Sequence, residues 1–251
     1  IYSAKQRALI SECAEPTEVK GVFRKMSGLN GISVAIAPIL GVMIMTSTSP
    51  KILFAIDAAS FLIAVLLCHW LPTERKSRTE KTQQSEISAS PWPKEIFHFI
   101  SVWCVFLAVG AIHSIAEMPY MKGIKLLPNE ISYVISAWGM GSLIAFLLKV
   151  RFSIPMGLAA LIFSFGLGSA FLTNSWQMMS LGFLLAGFTY SFISGHIRHE
   201  IHHHASGIVE YTSLWSAVEK YSLYSSALAL LLATSLVELL HMPIQWTLLI
   251  A

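Results

Sequence analysis

Charge is scarce in this chain. Of its 251 residues only 12% are Asp, Glu, Lys or Arg, about half the share usual in a soluble domain. Aspartate is almost missing, with Asp57 the only one. Cysteine is nearly as rare: Cys13, Cys68 and Cys104 are three, odd in number and far apart. That excludes a disulfide framework, and such spacing builds no cysteine metal site. The net charge of +3 is no nucleic-acid footprint, because the cations sit beside the ends of apolar runs rather than in one patch.

What is abundant is apolar surface, at 55% of the residues. Seven apolar stretches can be marked: Met26–Met45, Ile52–Leu71, Ile96–Met118, Ile131–Val150, Ile154–Leu172, Trp176–Ser194 and Tyr221–Leu240. Each is about the twenty residues that a helix needs to cross a hydrocarbon core of about 30 Å. An eighth run begins at Ile244–Ala251.

The Lys and Arg residues give the orientation. With the first residues in the cytoplasm and the helices alternating, the inner segments hold fourteen of them. These are Lys5, Arg7, Lys20, Arg24, Lys25, Arg75, Lys76, Arg78, Lys81, Lys94, Lys149, Arg151, Arg198 and Lys220. The outer segments hold Lys51, Lys122 and Lys125. Cationic loops resist translocation, so this bias sets the topology and rejects its inverse. The expected location is a cell membrane, inner or plasma, spanned several times.

The chain then divides into three parts. Residues 1–71 hold a polar lead-in and two spans, joined by a tight hairpin through Thr46–Lys51. Residues 72–95 form a cytoplasmic linker rich in charge, Ser and Gln, a composition that favours solvated chain. Residues 96–251 hold five spans and the start of a sixth. His196–Lys220 reads as an inner loop, with Glu210–Lys220 as an amphipathic segment along the membrane face.

This layout resembles the major facilitator superfamily with its first four helices missing. The stretch Gly28–Val42, GLNGISVAIAPILGV, is similar to the family's fifth helix, where exporters carry a glycine-rich motif. Pro38 and Gly41 match that motif, Ala37 and Val42 replace two of its glycines, and Ser33 stands near an earlier one. The run from Phe54, FAIDAASFLIAVLL, resembles a phrase of the drug and siderophore exporter branch through Asp57, Ser60 and Phe61. Trp138-Gly139-Met140-Gly141 resembles the glycine pair of the eighth helix. The counterpart of the family's charged loop is reduced to Lys149-Val150-Arg151. The resemblance implies an all-α membrane bundle of seven helices plus a truncated eighth. It further implies a monomeric, proton-coupled exporter of a small amphipathic compound that works in a lipid bilayer. No covalent chemistry, cofactor or metal is expected, and the protein is not read as an enzyme.

Several residues could carry mechanism. Ser33, Ala37 and Gly41 recur every four residues as a small-residue stripe, and Pro38 removes a helix hydrogen bond. Together they suggest a seam between two bundles, or else ordinary helix packing. Ionisable groups inside a bilayer are costly, so Asp57, His113 and Glu117 are candidates for proton coupling. His113 and Glu117 are four apart and share a helix face, and burial with a neighbouring imidazole can tune how tightly a carboxylate holds a proton. The plainer reading puts all three near the headgroups, partly wet. Glu238 and His241 lie at an outer helix end.

Two other readings stand beside export. His199-Glu200-Ile201-His202-His203 fits the H-E-x-x-H pattern of zinc peptidases, which makes a membrane-embedded zinc hydrolase on His199, Glu200 and His203 an alternative. A truncated, inactive transporter relic is another. Trp103, Trp138, Met140 and Phe146 could line an apolar cavity or simply pack, while Trp70, Tyr120 and Trp176 read as interfacial anchors.

Overall fold

The computed structural model describes residues 16–70, 93–148, 155–205 and 211–239. Every element among them is a helix: α1 Pro16–Ser47, α2 Pro50–Trp70, α3 Lys94–Gly123, α4 Pro128–Leu147, α5 Met156–Phe171, α6 Trp176–Ala205 and α7 Tyr211–Leu239. Each of the seven apolar stretches marked in the sequence has its helix. Four helices are long and apolar enough to cross a membrane: α1 through Gly28–Ser47, α3, α4 and α6. The apolar α5 is shorter, at 16 residues. Cys13, Lys149, Arg151, Glu210, His241 and the eighth apolar run lie outside the described residues, as does most of the linker. Its last two residues, Lys94 and Glu95, already belong to α3.

Besides an earlier start of α1 at Pro16 and longer ends of α3, three boundaries differ from the sequence reading for a local reason. The segment His196–Ala205 is no loop. It completes α6, whose 30 residues extend about 45 Å, longer than a hydrocarbon core. Ile197, Ile201 and Ala205 recur every four residues and are fully buried, so this polar stretch hides an apolar stripe. Nor are Tyr211–Lys220 a segment separate from the last span. They are the first turns of α7, with Leu214, Trp215 and Val218 fully buried. α4 starts at Pro128 rather than Ile131, because Pro suits a first helical position and the Glu130 carboxylate accepts the Leu127 backbone N–H at 2.8 Å.

α1 packs on α4, α4 on α6 and α6 on α5, while α3 packs on α7 and on α6; α2 packs on α1. These contacts are close because small residues let backbones meet. A Cβ added to Gly139 would strike the backbone of Val34 and Ala35 on α1, and one added to Gly187 would strike the Trp138 carbonyl on α4. The Ser142 hydroxyl donates to the Gly187 carbonyl at 2.9 Å across the second seam. Between the helices sits a closed circuit of four rings, one from each of α3, α4, α5 and α6. The centroid distances are 5.2 Å for Phe106–Phe163, 5.3 Å for Phe106–Tyr190, 5.4 Å for Trp138–Tyr190 and 6.0 Å for Trp138–Phe163. Such ring pairs contribute about 0.5–1.5 kcal/mol each beyond buried area.

Candidate functional site

The C-terminal half of α3 carries the ionisable pair. His113 is buried, with 7% of its surface accessible. Its ring stacks on Phe171 at the end of α5, with centroids 5.4 Å apart. The same Phe171 meets Tyr120 edge-on at 5.3 Å, and the Tyr120 hydroxyl donates to the Phe171 carbonyl at 2.8 Å. Tyr120 is therefore an internal clasp between α3 and α5 rather than an interfacial anchor. It satisfies a carbonyl that the end of α5 would otherwise leave open.

Glu117 lies between His113 and Tyr120 in sequence, one turn from the first and three residues from the second, so the three lie along one side of α3. It is half-buried. Among the described residues no salt bridge joins Glu117 to His113, and the buried His113 Nδ1 has no hydrogen-bond partner. An imidazole nitrogen and a carboxylate thus stand one turn apart, both within a helix apolar enough to span a membrane. Proton uptake and release is the chemistry such a pair can support.

Asp57 lies elsewhere. It is exposed on α2, and the Ser60 hydroxyl donates to its backbone carbonyl at 2.7 Å. The packing of α2 is with α1, and there is no extensive interface between α2 and α3. The three candidates therefore form one pair and one separate carboxylate.

The stripe on α1 also divides. Ser33 and Ala37 are exposed, and a Cβ on Gly41 would meet nothing within 4 Å. The Ser33 hydroxyl turns back to the Leu29 carbonyl at 3.2 Å. The face that meets α4 is Gly28, Gly31 and Ala35, roughly opposite on the helix. A Cβ on Gly28 would lie 2.5 Å from the Phe146 ring, and one on Gly31 would lie 3.1 Å from the Ser142 Cβ. Pro38 flanks this face, half-buried. A spacing of three and then four, rather than an even four, is the sequence signal that marks it. Beyond Pro38 the two helices part around a crevice of about 340 Å³. Ile39, Val42, Met43 and Thr46 line one wall and Pro128, Asn129, Ser132 and Tyr133 the other.

The H-E-x-x-H residues sit on the last turns of α6. Glu200 lies 3.8 Å from His196 Nδ1 and 3.7 Å from His204 Nε2, one turn to either side. His199 and His203 stack on each other, with centroids 6.2 Å apart. Among the described residues no three His, Cys, Asp or Glu side chains converge as a metal site. Trp103 is buried beneath the Arg198 guanidinium, 5.0 Å from the ring centre, and Met140 is exposed. Trp138 belongs to the aromatic circuit. These side chains pack, cover or face outward rather than line a shared cavity.

Comparison with protein-family models, with curated proteins and with solved structures finds no match to this chain.

Proposed function

We propose that this chain is part of a secondary active transporter of the major facilitator type, exporting a small amphipathic compound in exchange for protons. The observation that carries this reading is the seam across the linker. α1, before it, lies backbone to backbone against α4, after it, at Gly139 and Ala35. Two helix groups separated by a polar linker and joined by a face rich in small residues have the form that rocking requires, because close backbone contact forms and breaks there with few side chains to reorder. The inner bias of Lys and Arg supports the same arrangement, with the first described residues in the cytoplasm of a cell membrane. The exporter-like residues Pro38, Gly41 and Asp57 add to it.

In this reading Glu117 takes and gives up the coupled proton, and His113 beside it tunes the exchange. Asp57, exposed on α2, is assigned no coupling role. No observation favours the zinc-hydrolase reading, since Glu200 is paired along the helix with His196 and His204.

The test is accumulation of a fluorescent lipophilic cation in cells expressing the full-length frame, with and without a protonophore. The expected result is lower accumulation that the protonophore abolishes, lost in Glu117→Gln and retained in Asp57→Asn. Accumulation equal to that of empty cells would remove this substrate class, and export indifferent to the protonophore would remove proton coupling.

A further inference from the structure

We propose that the emergent end of α6 is a proton-sensitive latch on α7, closed while the His202 imidazole is neutral and released when it takes a proton. At 30 residues, α6 outruns a hydrocarbon core by about ten, so the stretch 196–205 projects beyond the spanning part. The fold sorts the histidines of this stretch. His196 and His204 flank Glu200 one turn to either side, at 3.8 and 3.7 Å, and His203 is exposed. His202 is drawn inward, with 5% of its surface accessible. Its ring lies flat on Tyr211 at the start of α7, with centroids 4.8 Å apart and planes at 11°. That stack links two consecutive helices that otherwise pack little on each other. α6 lies on α3, α4 and α5, and α7 lies on α3, while α6 and α7 share no extensive interface among the described residues. α7 can therefore part from α6 without leaving α3.

A proton is costly at His202. Its buried Nδ1 has no hydrogen-bond partner among the described residues, so protonation there leaves a charge and an N–H donor uncompensated. Burial first, and then the charges of His199 and His203 on the same helix, hold its pKa below the ordinary 6.5. From α7 it meets the Tyr211 phenol, and no carboxylate among the described residues pairs with it. Glu200 lies about 200° away around α6, and Glu219 and Lys220 lie about two turns past Tyr211 on α7. Lys94, Glu95 and His98 of α3 are exposed. Once released into water, the His202 imidazole titrates near its ordinary value of about 6.5. The open form thus binds a proton more tightly than the closed form. Closure is fully favoured above pH about 6.5 and is lost as the pH falls from there towards the lower pKa of the closed form. His204 differs. It stacks on Phe99 of α3, with centroids 5.5 Å apart and planes at 23°, where a ring face and the nearby Glu200 tolerate a positive charge. Acid therefore frees α6 from α7 and leaves it on α3. This inference does not depend on the transport reading.

The test is a distance measurement by pulsed electron paramagnetic resonance on the full chain in lipid nanodiscs. Spin labels are placed on His196→Cys and Ser213→Cys, both exposed positions, with the three native cysteines replaced by serine. A single short distance is expected at pH 7.5. A longer one should grow as the pH falls, the open-to-closed ratio rising by up to about tenfold at pH 5.5, the limit for one proton and an open-form pKa of about 6.5. His202→Phe keeps a flat ring on Tyr211 but takes no proton, so its distances should not change with pH. His204→Phe should respond as the wild type does. Tyr211→Ala, which removes the stack from the other side, should show the longer distance already at pH 7.5 and serves if His202→Phe does not fold. Distances in the wild-type chain that ignore pH, or a wild-type response in folded His202→Phe, would overturn the proposal.

Discussion

The helices before the linker and those after it are built differently. After it, α3 to α7 make a core in which Ile96, Trp103, Met121, Phe171, Met179, Ile197 and Trp215 are fully buried. Before it, Ala35 is the one buried apolar side chain among the described residues, while Phe54, Phe61, Leu62 and Val65 of α2 are exposed. Exposed apolar surface costs little in lipid, whose tails are as apolar as leucine. What holds membrane helices together there is close packing of small residues and hydrogen bonds between helices. α1 attaches to the core by such packing, at Gly28, Gly31 and Ala35 against Gly139, Ser142 and Phe146. The first pair of helices is thus joined to the rest mainly through one close seam, α1 on α4, with a smaller contact of α1 on α6, and the five later helices hold one another through many.

The largest expected effect breaks that contrast directly. Gly139→Leu places a side chain against the backbone of Val34 and Ala35, which cannot swing away, so α1 must separate from α4. Overpacking of this kind costs about 1–3 kcal/mol. A lower unfolding temperature in detergent is expected, with easier proteolysis between the two helix groups. Gly41→Leu, on the side of α1 where nothing lies within 4 Å, should leave both unchanged. Equal effects of the two substitutions would mean that both sides of α1 are covered, and would contradict a seam confined to the Gly28–Ala35 face.

A smaller effect belongs to the later helices. Tyr120→Phe keeps the ring against Phe171 but removes the hydroxyl that donates to its carbonyl at 2.8 Å. The expected loss is about 0.5–1.5 kcal/mol, read as a modest fall in unfolding temperature. The smallest change is a gain. Lys125 holds φ at 61° where α3 ends, with the Leu126 N–H donating to the Met121 carbonyl at 3.1 Å, a helix end that favours glycine. Lys125→Gly should stabilise by about 0.5–1 kcal/mol.

Much of the fold was legible because a membrane span announces itself by length. All seven runs became helices, and the two-residue turn at Thr48–Ser49 lies inside the hairpin read at Thr46–Lys51. The ends of α6 and the start of α7 were hidden because polarity and helical period disagree there. Five histidines make the stretch look like a loop, while Ile197, Ile201 and Ala205 keep the helical period beneath them. The seam was half legible. α1 does approach another helix closely near Pro38, but small residues occur on both of its sides, and composition alone does not say which side is covered. His113 and Glu117 could be paired by spacing, whereas Phe171, which stacks on His113, comes from 58 positions along the chain, beyond the reach of any local pattern.

The central claim is that α1 and α4 meet across the linker and, in the transporter proposed above, must move for transport. The most direct measurement is oxidative cross-linking of Gly31→Cys with Ser142→Cys, with Cys13, Cys68 and Cys104 replaced by serine. The two Cβ positions lie 3.1 Å apart, close enough for a disulfide with a slight shift of the helices. The account predicts rapid cross-linking that stops export of the lipophilic cation and is reversed by reductant. Failure to cross-link would contradict the seam, and a complete cross-link that leaves export untouched would contradict its movement.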